Sequence, residues 1–285
     1  MRWVVPQEVL TPHLVNSWGG GRTRPTAARA EIEACARARA AAEMVVYEAQ
    51  LAERQAQEAS GAKLRGSAPQ APSAEPKPTD QYNFTDEESW IMKAGNGPHF
   101  EQSYNAQAAV EVESRMIVGR RVSQAPNDKQ ELVPTVAAIA QPVASVAAVL
   151  IDSGFYSAAA VQRVEQTESG QSSGTIVYAA MEKKAHHRTV SDLEQKSEPS
   201  APVPGASISE VMHYRMKTAA GRAKYKLRQQ TVEPIFGIIK SVLGFRQFLL
   251  RGLEKVELEW GLVCLAYNLK RLHRMIAGRK MAARG

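Results

Sequence analysis

The stretch SVAAVLIDSG, residues 145–154, indicates the fold of this chain. Its first seven residues are apolar or small, which suits a buried β-strand, and the run ends abruptly at Asp152, Ser153 and Gly154. A strand that delivers an acid at its carboxyl end places that acid where open α/β sheets bind ligands. Asp152 is therefore a candidate site residue, and a turn-forming Asp before Ser-Gly is the alternative interpretation.

The segments around this strand alternate between strand and helix patterns. Strands are predicted at 84–92, 103–112, 116–122 and 175–179, and helices at 127–140, 157–166, 207–219, 222–242 and 253–276. Successive strands followed by alternating strands and helices are typical of a mixed α/β sheet flanked by helices. The last helix has apolar residues on most sides, among them Leu258, Leu262, Leu265 and Leu269, so we expect it to pack across the sheet. Trp260 and Tyr267 are expected to be core aromatics.

The chain of 285 residues is expected to divide into five segments. They are an irregular N-terminus (1–25), an Ala/Glu/Arg-rich helix (26–60), a Pro/Ser/Ala-rich linker (61–81), an α/β domain (82–277) with a loop or insertion at 182–206, and a basic tail (278–285). Cys35 and Cys264 lie far apart in helical settings, which predicts small buried side chains and neither a disulfide nor a metal site.

Positive charge is concentrated at the C-terminal end. Residues 211–285 contain 16 Lys and Arg against four Glu, a balance of +12, whereas the whole chain carries +7, so the preceding residues carry about −5. Such a segment favours a nucleic-acid partner over an anionic membrane surface, and a solvated helix face is the third interpretation. The chain shows neither a membrane-spanning apolar run nor a signal-peptide pattern, so no membrane partner and a cytoplasmic, nucleoid-associated location are expected.

The segment YKLRQQTVEPIFGIIK, residues 225–240, places one carboxylate, Glu233, in a helix-forming run rich in basic residues. Tyr225 and Arg228 lie one turn apart, and Lys240 lies close to two turns after Glu233, so all four can point toward one side of a helix. A lone acid among cations suits metal binding beside phosphates. This arrangement indicates phosphoryl transfer on nucleic acid.

Six blocks of the sequence, in order, resemble the catalytic half of the DDE transposases of bacterial insertion sequences. They cover about residues 82–275 and read NFTDEESWIM, SYNAQAAVEVESRMIVG, APNDKQELVP, VLIDSGFYS, YKLRQQTVEPIFGIIKSVLGFRQFLLRGLEKV and EWGLVCLAYNLKRL. The resemblance implies an RNase H-like fold for residues 82–277, with Asp86, Asp152 and Glu233 as catalytic acids that bind two Mg²⁺ or Mn²⁺ ions. One ion would activate water or a terminal 3′-hydroxyl, and the other would support the leaving 3′-oxygen.

The resemblance also implies DNA as the partner, both transposon ends and target, and a homodimer assembled on that DNA. Tyr225, Arg228 and Lys240 resemble the family's signature around the third acid, whose implied work is to hold transposon-end phosphates. The interval from Arg228 to Glu233 is one residue longer than in the usual form of that signature. Arg246 and Arg251 are further candidates for contacts with the DNA backbone, or solvated surface charges.

Two departures from the family pattern affect these expectations. The Pro and Arg that tend to follow the first acid are missing after Asp86, so Glu88, on the same predicted strand face, is the alternative first ligand. The family's N-terminal helical domain, which recognises the terminal repeats, has no counterpart, which predicts a truncated chain. The function expected is therefore metal-dependent cleavage and transfer of DNA strands, and the alternative is an inactive remnant that binds DNA non-specifically.

Overall fold

The structure is a computed structural model that describes residues 2–5, 9–10, 24–59, 67–78, 80, 82–93, 100–139, 145–181 and 199–282. The chain divides into two units: a sheet unit, Met1–His13 with Glu88–Gly285, and a helical unit, Leu14–Glu87. Among the helices of these ranges, none combines the length and hydrophobicity needed to cross a bilayer.

The chain forms successive strands first and alternating strands and helices afterwards, as the sequence predicts. The mixed α/β class is therefore confirmed. The strands are β1 (Arg2–Val5), β2 (Val9–Leu10), β3 (Trp90–Lys93), β4 (Phe100–Glu111), β5 (Ile117–Ser123), β6 (Ala148–Ile151) and β7 (Ile176–Ala179). The helices are α1 (Arg24–Ala59), α2 (Leu132–Ala137), α3 (Ala158–Glu165), α4 (Ile208–Lys217), α5 (Ala219–Ser241) and α6 (Leu253–Ala282), with a 3₁₀ turn at Ser153–Phe155.

Five strands of the sheet follow the order β5-β4-β1-β6-β7. Strand β1 is antiparallel to β4 and parallel to β6, and β6 is parallel to β7. Val5 lies opposite Ile151, so β1 runs beside the strand that ends at Asp152. Strands β2 and β3 also pair with β4. The first strand of the chain therefore occupies the centre of the sheet.

The prediction of an irregular N-terminus is wrong for β1 and β2. Four and two residues are too short to show a strand period by themselves, and their pairing is set by β4 and β6, which lie far along the chain. The remaining residues of this predicted segment up to position 23 lie outside the described residues.

The first predicted strand, 84–92, is also wrong over most of its length. Residues 84–88 form bends and turns, and only Trp90–Lys93 becomes a strand. A local hydrogen bond from the backbone N–H of Thr85 to the side chain of Asn83, at 2.9 Å, favours the turn over an extended ladder.

Two hydrophobic cores lie on the two faces of the sheet. On one face, α5 and α6 contribute Phe236 and Trp260, which pack with Leu150 of β6. On the other face, α2, α3 and α4 pack against the neighbouring residues Val149 and Ile151 of the same strand. Because β6 is buried on both faces, it needs the continuous apolar run that the sequence shows.

Helix α6 packs across the sheet as predicted, with Trp260 and Tyr267 buried in the core. Its other apolar side faces outward, since Leu258, Leu262, Leu265 and Leu269 are 53% to 68% exposed. The helix also continues through Ala282, so the basic tail predicted from residue 278 is helical over most of its length. Cys264 is buried on the sheet side, and burial raises the pKa of its thiol to about 12.

The predicted loop at 182–206 and the predicted linker at 61–81 lie only partly within the described residues. Residues 182–198 of the predicted loop lie outside the described residues, and residues 199–206 form neither helix nor strand. Within the helical unit, Arg39 of α1 donates two hydrogen bonds to the Asp80 carboxylate, at 2.9 and 3.0 Å, so this end of the predicted linker is held to α1. Those hydrogen bonds lower the pKa of Asp80. Cys35 of α1 is exposed, so its predicted burial is wrong.

Candidate active site

Asp152 lies at the carboxyl end of β6, the strand that both cores bury. Its Oδ1 accepts a hydrogen bond from the backbone N–H of Ser153 at 2.8 Å and caps the 3₁₀ turn that follows. The side chain is still 43% exposed. The two interpretations of this residue are therefore compatible: one oxygen forms the turn, and the carboxylate remains accessible at the sheet edge.

Helix α5 presents the second acid of the site. Val232, Ile235, Phe236 and Ile239 of this helix are buried against the sheet. The 3.6-residue period therefore leaves Glu233 on the border of that face, where its side chain is 65% exposed. The helix starts at a Thr218 cap, whose hydroxyl accepts a hydrogen bond from the Gly221 N–H at 3.0 Å.

Arg228 joins the two acids. Its guanidinium Nη2 lies 3.8 Å from Oδ1 of Asp152 and 4.0 Å from Oε1 of Glu233. Its side chain is only 15% exposed, so these interactions are less screened by water than an ordinary surface ion pair. The structure thus brings together three residues that the sequence predicts for the site, from two elements that are far apart in the chain.

Tyr225 lies one turn before Arg228 on the same helix. The guanidinium carbon of Arg228 is 5.6 Å from the centre of the Tyr225 ring, within the range of a cation–π contact. Burial raises the pKa of the Tyr225 hydroxyl, and the charge of Arg228 opposes that shift. The ring therefore restrains the guanidinium between the two carboxylates.

Asp128 is a buried acid that the sequence did not identify as part of this region. Its Oδ1 accepts hydrogen bonds from the side-chain amides of Asn105 and Gln107, at 2.8 and 2.9 Å. Burial raises the pKa of Asp128, and the negative charges of Glu131 and Asp152 raise it further. Asp128 therefore lies within electrostatic range of the candidate site, behind the exposed pair of acids.

The helix predicted at 127–140 begins later than expected, because α2 starts only at Leu132 and the Asp128 carboxylate accepts a hydrogen bond from Asn105 of strand β4 instead. A signal for this cluster is present in the strand itself. The segment YNAQAA places Asn105 and Gln107 at alternating positions of a strand that is otherwise small or apolar. Two amides on one face of a buried strand require polar partners.

Asp86 and Glu88 have different surroundings. Asp86 belongs to the helical unit, is buried and lies in no strand, so its role as the first acid stays a prediction. Glu88 belongs to the sheet unit, where its Oε2 accepts a hydrogen bond from the backbone N–H of Leu253 at 2.8 Å. Its carboxylate therefore caps the N-terminus of α6.

The remaining predicted DNA contacts lie beyond Glu233. Lys240 is in the last turn of α5 and is partly buried, Arg246 is exposed in the segment after it, and Arg251 is partly buried just before α6. All three belong to the basic C-terminal end of the chain. Their contacts with DNA stay a prediction.

The acids of the site offer part of a ligand set for a divalent cation. Within the described ranges, no three His, Cys, Asp or Glu side chains group closely enough to hold a metal ion. Asp152 and Glu233 nevertheless direct one oxygen each toward a shared cation, the guanidinium of Arg228. Because Mg²⁺ takes carboxylate oxygens together with waters and substrate phosphates, this pair fits a partial set of Mg²⁺ ligands.

Comparison with known families agrees with this geometry. Residues 202–273, which include α4, α5 and most of α6, match the model of a transposase DDE domain. Neither a curated protein nor a solved structure matches the chain. The matched segment contains Tyr225, Arg228 and Glu233 on one helix, and Asp152 lies against it. Through residues 202–273, this chain is similar to the DDE domain of transposases.

Proposed function

We propose that this protein catalyses metal-dependent phosphoryl transfer on DNA, with strand cleavage and strand transfer at the ends of an insertion sequence. The observation that carries the proposal is the convergence of Asp152 and Glu233 on Arg228. Two accessible carboxylates and one restrained cation at the carboxyl edge of a sheet form a site for metal-bound phosphate. The family match of residues 202–273 supports DNA as the substrate.

An RNase H-like fold is part of this proposal. The order β5-β4-β1-β6-β7 supports it, because three antiparallel strands are followed by two strands parallel to the central one. An acid that follows β6 and an acid on a later helix then meet at one edge, as the resemblance implies for Asp152 and Glu233.

In the proposed site, Asp152 and Glu233 hold divalent cations, with Asp86 as the third acid. Two Mg²⁺ or Mn²⁺ ions would supply activation of the attacking oxygen and stabilisation of the leaving oxygen. Arg228 balances the two carboxylates and offers its guanidinium to a phosphate oxygen, while Tyr225 limits its rotation. Lys240, Arg246 and Arg251 bind the DNA backbone. The active assembly is a homodimer on DNA.

One observation favours the second candidate function, an inactive protein that binds DNA non-specifically. In the resemblance, the first acid lies on the first strand of the fold. The first strand of this chain is β1, which pairs with β6. Its sequence, Arg-Trp-Val-Val, contains no carboxylate. Catalysis then depends on an acid from outside the described part of that strand, and Asp86 is the proposed source.

The test is a nicking assay on DNA that carries the cognate ends, with Mg²⁺ or Mn²⁺. Wild type is expected to nick the DNA, whereas Glu233→Ala should lose at least about 100-fold in rate and keep most of its DNA affinity, since a metal ligand is removed and no phosphate contact is lost. Glu168→Ala, at an exposed turn far along the chain from Glu233, is the matched control and should cleave at the wild-type rate.

The preference for cognate DNA and the formation of a metal-dependent product separate the two candidates. An inactive protein would bind cognate and unrelated DNA equally, would lose affinity steeply as salt rises, and would give no metal-dependent product. Absence of a nicked product from wild type with cognate ends and either metal would reject the enzymatic proposal. Cleavage that persists in Glu233→Ala would reject the assignment of this acid.

A further inference from the structure

Helix α6 carries a stripe of exposed large apolar side chains, which we call the α6 stripe. It consists of Leu258, Leu262, Leu265, Leu269, Leu272 and Ile276, and each of these side chains is between 41% and 68% exposed. Together they form a row of exposed apolar side chains along one side of the helix, and large exposed apolar patches are uncommon on soluble monomers. Such a patch indicates a surface that another molecule covers.

The orientation of α6 on the sheet unit prevents the stripe from turning inward. Trp260 is fully buried on the opposite face, and its indole Nε1 donates a hydrogen bond to the backbone oxygen of Gln107 at 2.9 Å. About two turns further along, the side chain of Asn268 makes two hydrogen bonds with Ile117. Its oxygen accepts from the Ile117 N–H at 2.9 Å, and its amide nitrogen donates to the Ile117 C=O at 2.7 Å. These contacts clamp the helix with the α6 stripe outward.

The spacing of the α6 stripe identifies the shape of its partner. Its members follow one another at intervals of four, three, four, three and four residues. Alternation of four and three is the 3.5-residue repeat of a coiled-coil seam, which packs against a second helix with the same repeat. A second copy of this chain supplies such a helix by symmetry.

The charges of α6 select the direction of that second copy. The first two turns contain three acids, Glu254, Glu257 and Glu259, and one base, Lys255, whereas the turns after residue 269 contain Lys270, Arg271 and Arg274 and no acid. A parallel pair would place like charges side by side. An antiparallel pair places the acidic end of each helix beside the basic end of the other.

In the antiparallel arrangement, every side chain of the α6 stripe also faces a side chain of the partner's stripe. When Leu265 meets the partner's Leu269, Leu262 meets the partner's Leu272 and Leu258 meets the partner's Ile276. All six side chains find a partner, and the seam spans about 27 Å at 1.5 Å per residue. A two-fold axis passes through its centre.

We propose that the α6 stripe is the interface of an antiparallel homodimer that forms without DNA. The proposal assigns a surface and an orientation to the homodimer proposed above. It does not depend on the metal site, so sedimentation tests it independently of the nicking assay.

The first experiment is sedimentation equilibrium of the full chain without DNA. Wild type is expected to be dimeric, and the double variant Leu262→Asp with Leu269→Asp should weaken association by at least about 100-fold, because it buries two charges per copy. Leu249→Asp is the matched control, since Leu249 is 66% exposed and lies outside the stripe. A monomeric wild type, or a dimer that resists the double substitution, would overturn the proposal.

Disulfide cross-linking tests the orientation in a Cys35→Ser background. A variant with both Leu258→Cys and Ile276→Cys should form a covalent dimer on oxidation, while Leu258→Cys alone should not, because the two Leu258 positions lie at opposite ends of the seam. Efficient cross-linking of Leu258→Cys alone would instead show a parallel pair and contradict the antiparallel assignment.

Discussion

At the residue scale, the polar groups of the site are arranged in two layers. Asp152 and Glu233 are exposed and share the guanidinium of Arg228. Asp128 is buried behind them, with both of its hydrogen bonds on Oδ1 and no hydrogen-bond partner for Oδ2 within the described residues. Ionisation of a buried carboxyl group is unfavourable when one of its oxygens has no hydrogen-bond partner, because the charge is then only partly compensated. The front layer is suited to bind cations, and the back layer holds a strand and a loop together.

The raised pKa of Asp128 leads to a pH-dependent prediction. Burial and the nearby charges of Glu131 and Asp152 favour the protonated form in the folded state. The stabilisation that this group contributes is therefore complete below the pKa of unfolded Asp and is lost as the pH rises through the folded-state pKa. Above the folded-state pKa the ionised carboxylate destabilises the fold.

We therefore expect Asp128→Asn to melt at a higher temperature than wild type at pH 8, because an amide keeps the acceptor oxygen without the charge. The difference should shrink as the pH is lowered, because the Asp128 carboxylate of wild type then takes up a proton. Thermal unfolding followed by circular dichroism at several pH values measures this. Glu113→Gln, an exposed charge change, is the control and should melt as wild type does. A gap that widens at low pH would contradict the sign.

At the element scale, the corner between α4 and α5 sets the position of the site helix. Arg215 of α4 pairs with Glu165 of α3, with an N–O distance of 2.5 Å, which holds these two helices together on one face of the sheet. Thr218 then donates to the Arg215 carbonyl oxygen at 2.8 Å and caps α5. Gly221 lies where the two helices come closest. The corner thus determines where Tyr225, one turn later, begins the site.

Two glycine substitutions on α5 should have opposite effects. In Gly221→Ala, the new Cβ would overlap the Arg215 carbonyl oxygen, so we expect a loss of about 1–3 kcal/mol in the free energy of unfolding. In Gly237→Ala, the new Cβ meets nothing within 4 Å, so we expect a gain of about 0.5–1 kcal/mol from helix propensity. Urea unfolding of both variants measures the difference, and equal effects would refute the close approach at the corner.

At the scale of the whole molecule, the sheet unit is held together across both of its long helices. Trp260 of α6 stacks on Phe236 of α5, with ring centroids 5.8 Å apart, and its indole reaches the backbone of β4. One side chain therefore links two helices to the central part of the sheet. The basic C-terminal end of the chain is fixed to the same core, so its charge is displayed on a rigid support.

Replacement of this side chain should destabilise the whole sheet unit. In Trp260→Phe, the smaller ring leaves a void and the Gln107 carbonyl loses its indole donor, so we expect a loss of about 1–3 kcal/mol in the free energy of unfolding. Trp90→Phe, at a position that is 50% exposed, should change it by less than about 0.5 kcal/mol. A lower urea midpoint with an unchanged m-value for Trp260→Phe alone would support the link.

The positions of Asp152 and Glu233 could be predicted from the sequence, because each lies on a strong local pattern. An apolar run that ends in Asp152, and a helical period that leaves Glu233 beside a basic face, both lie within a few residues, and the resemblance to DDE transposases rests on the same blocks. Capping also followed from local chemistry: Ser207 and Glu210 form a capping box at the start of α4. These features depend on neighbours in the chain, which a sequence shows directly.

Other features were decided by the tertiary structure, because they depend on partners that are far apart in the chain. The central position of β1 is set by β4 and β6. Asp128, expected at the start of a helix, instead accepts hydrogen bonds from Asn105 and Gln107. On α6, both faces are apolar, so periodicity could not tell which one the sheet covers; Trp260 decides it by reaching the Gln107 carbonyl. The sequence by itself determined the α/β class and the positions of Asp152 after a buried strand and of Glu233 on a helix. Long-range packing decided which apolar and polar faces of these elements meet.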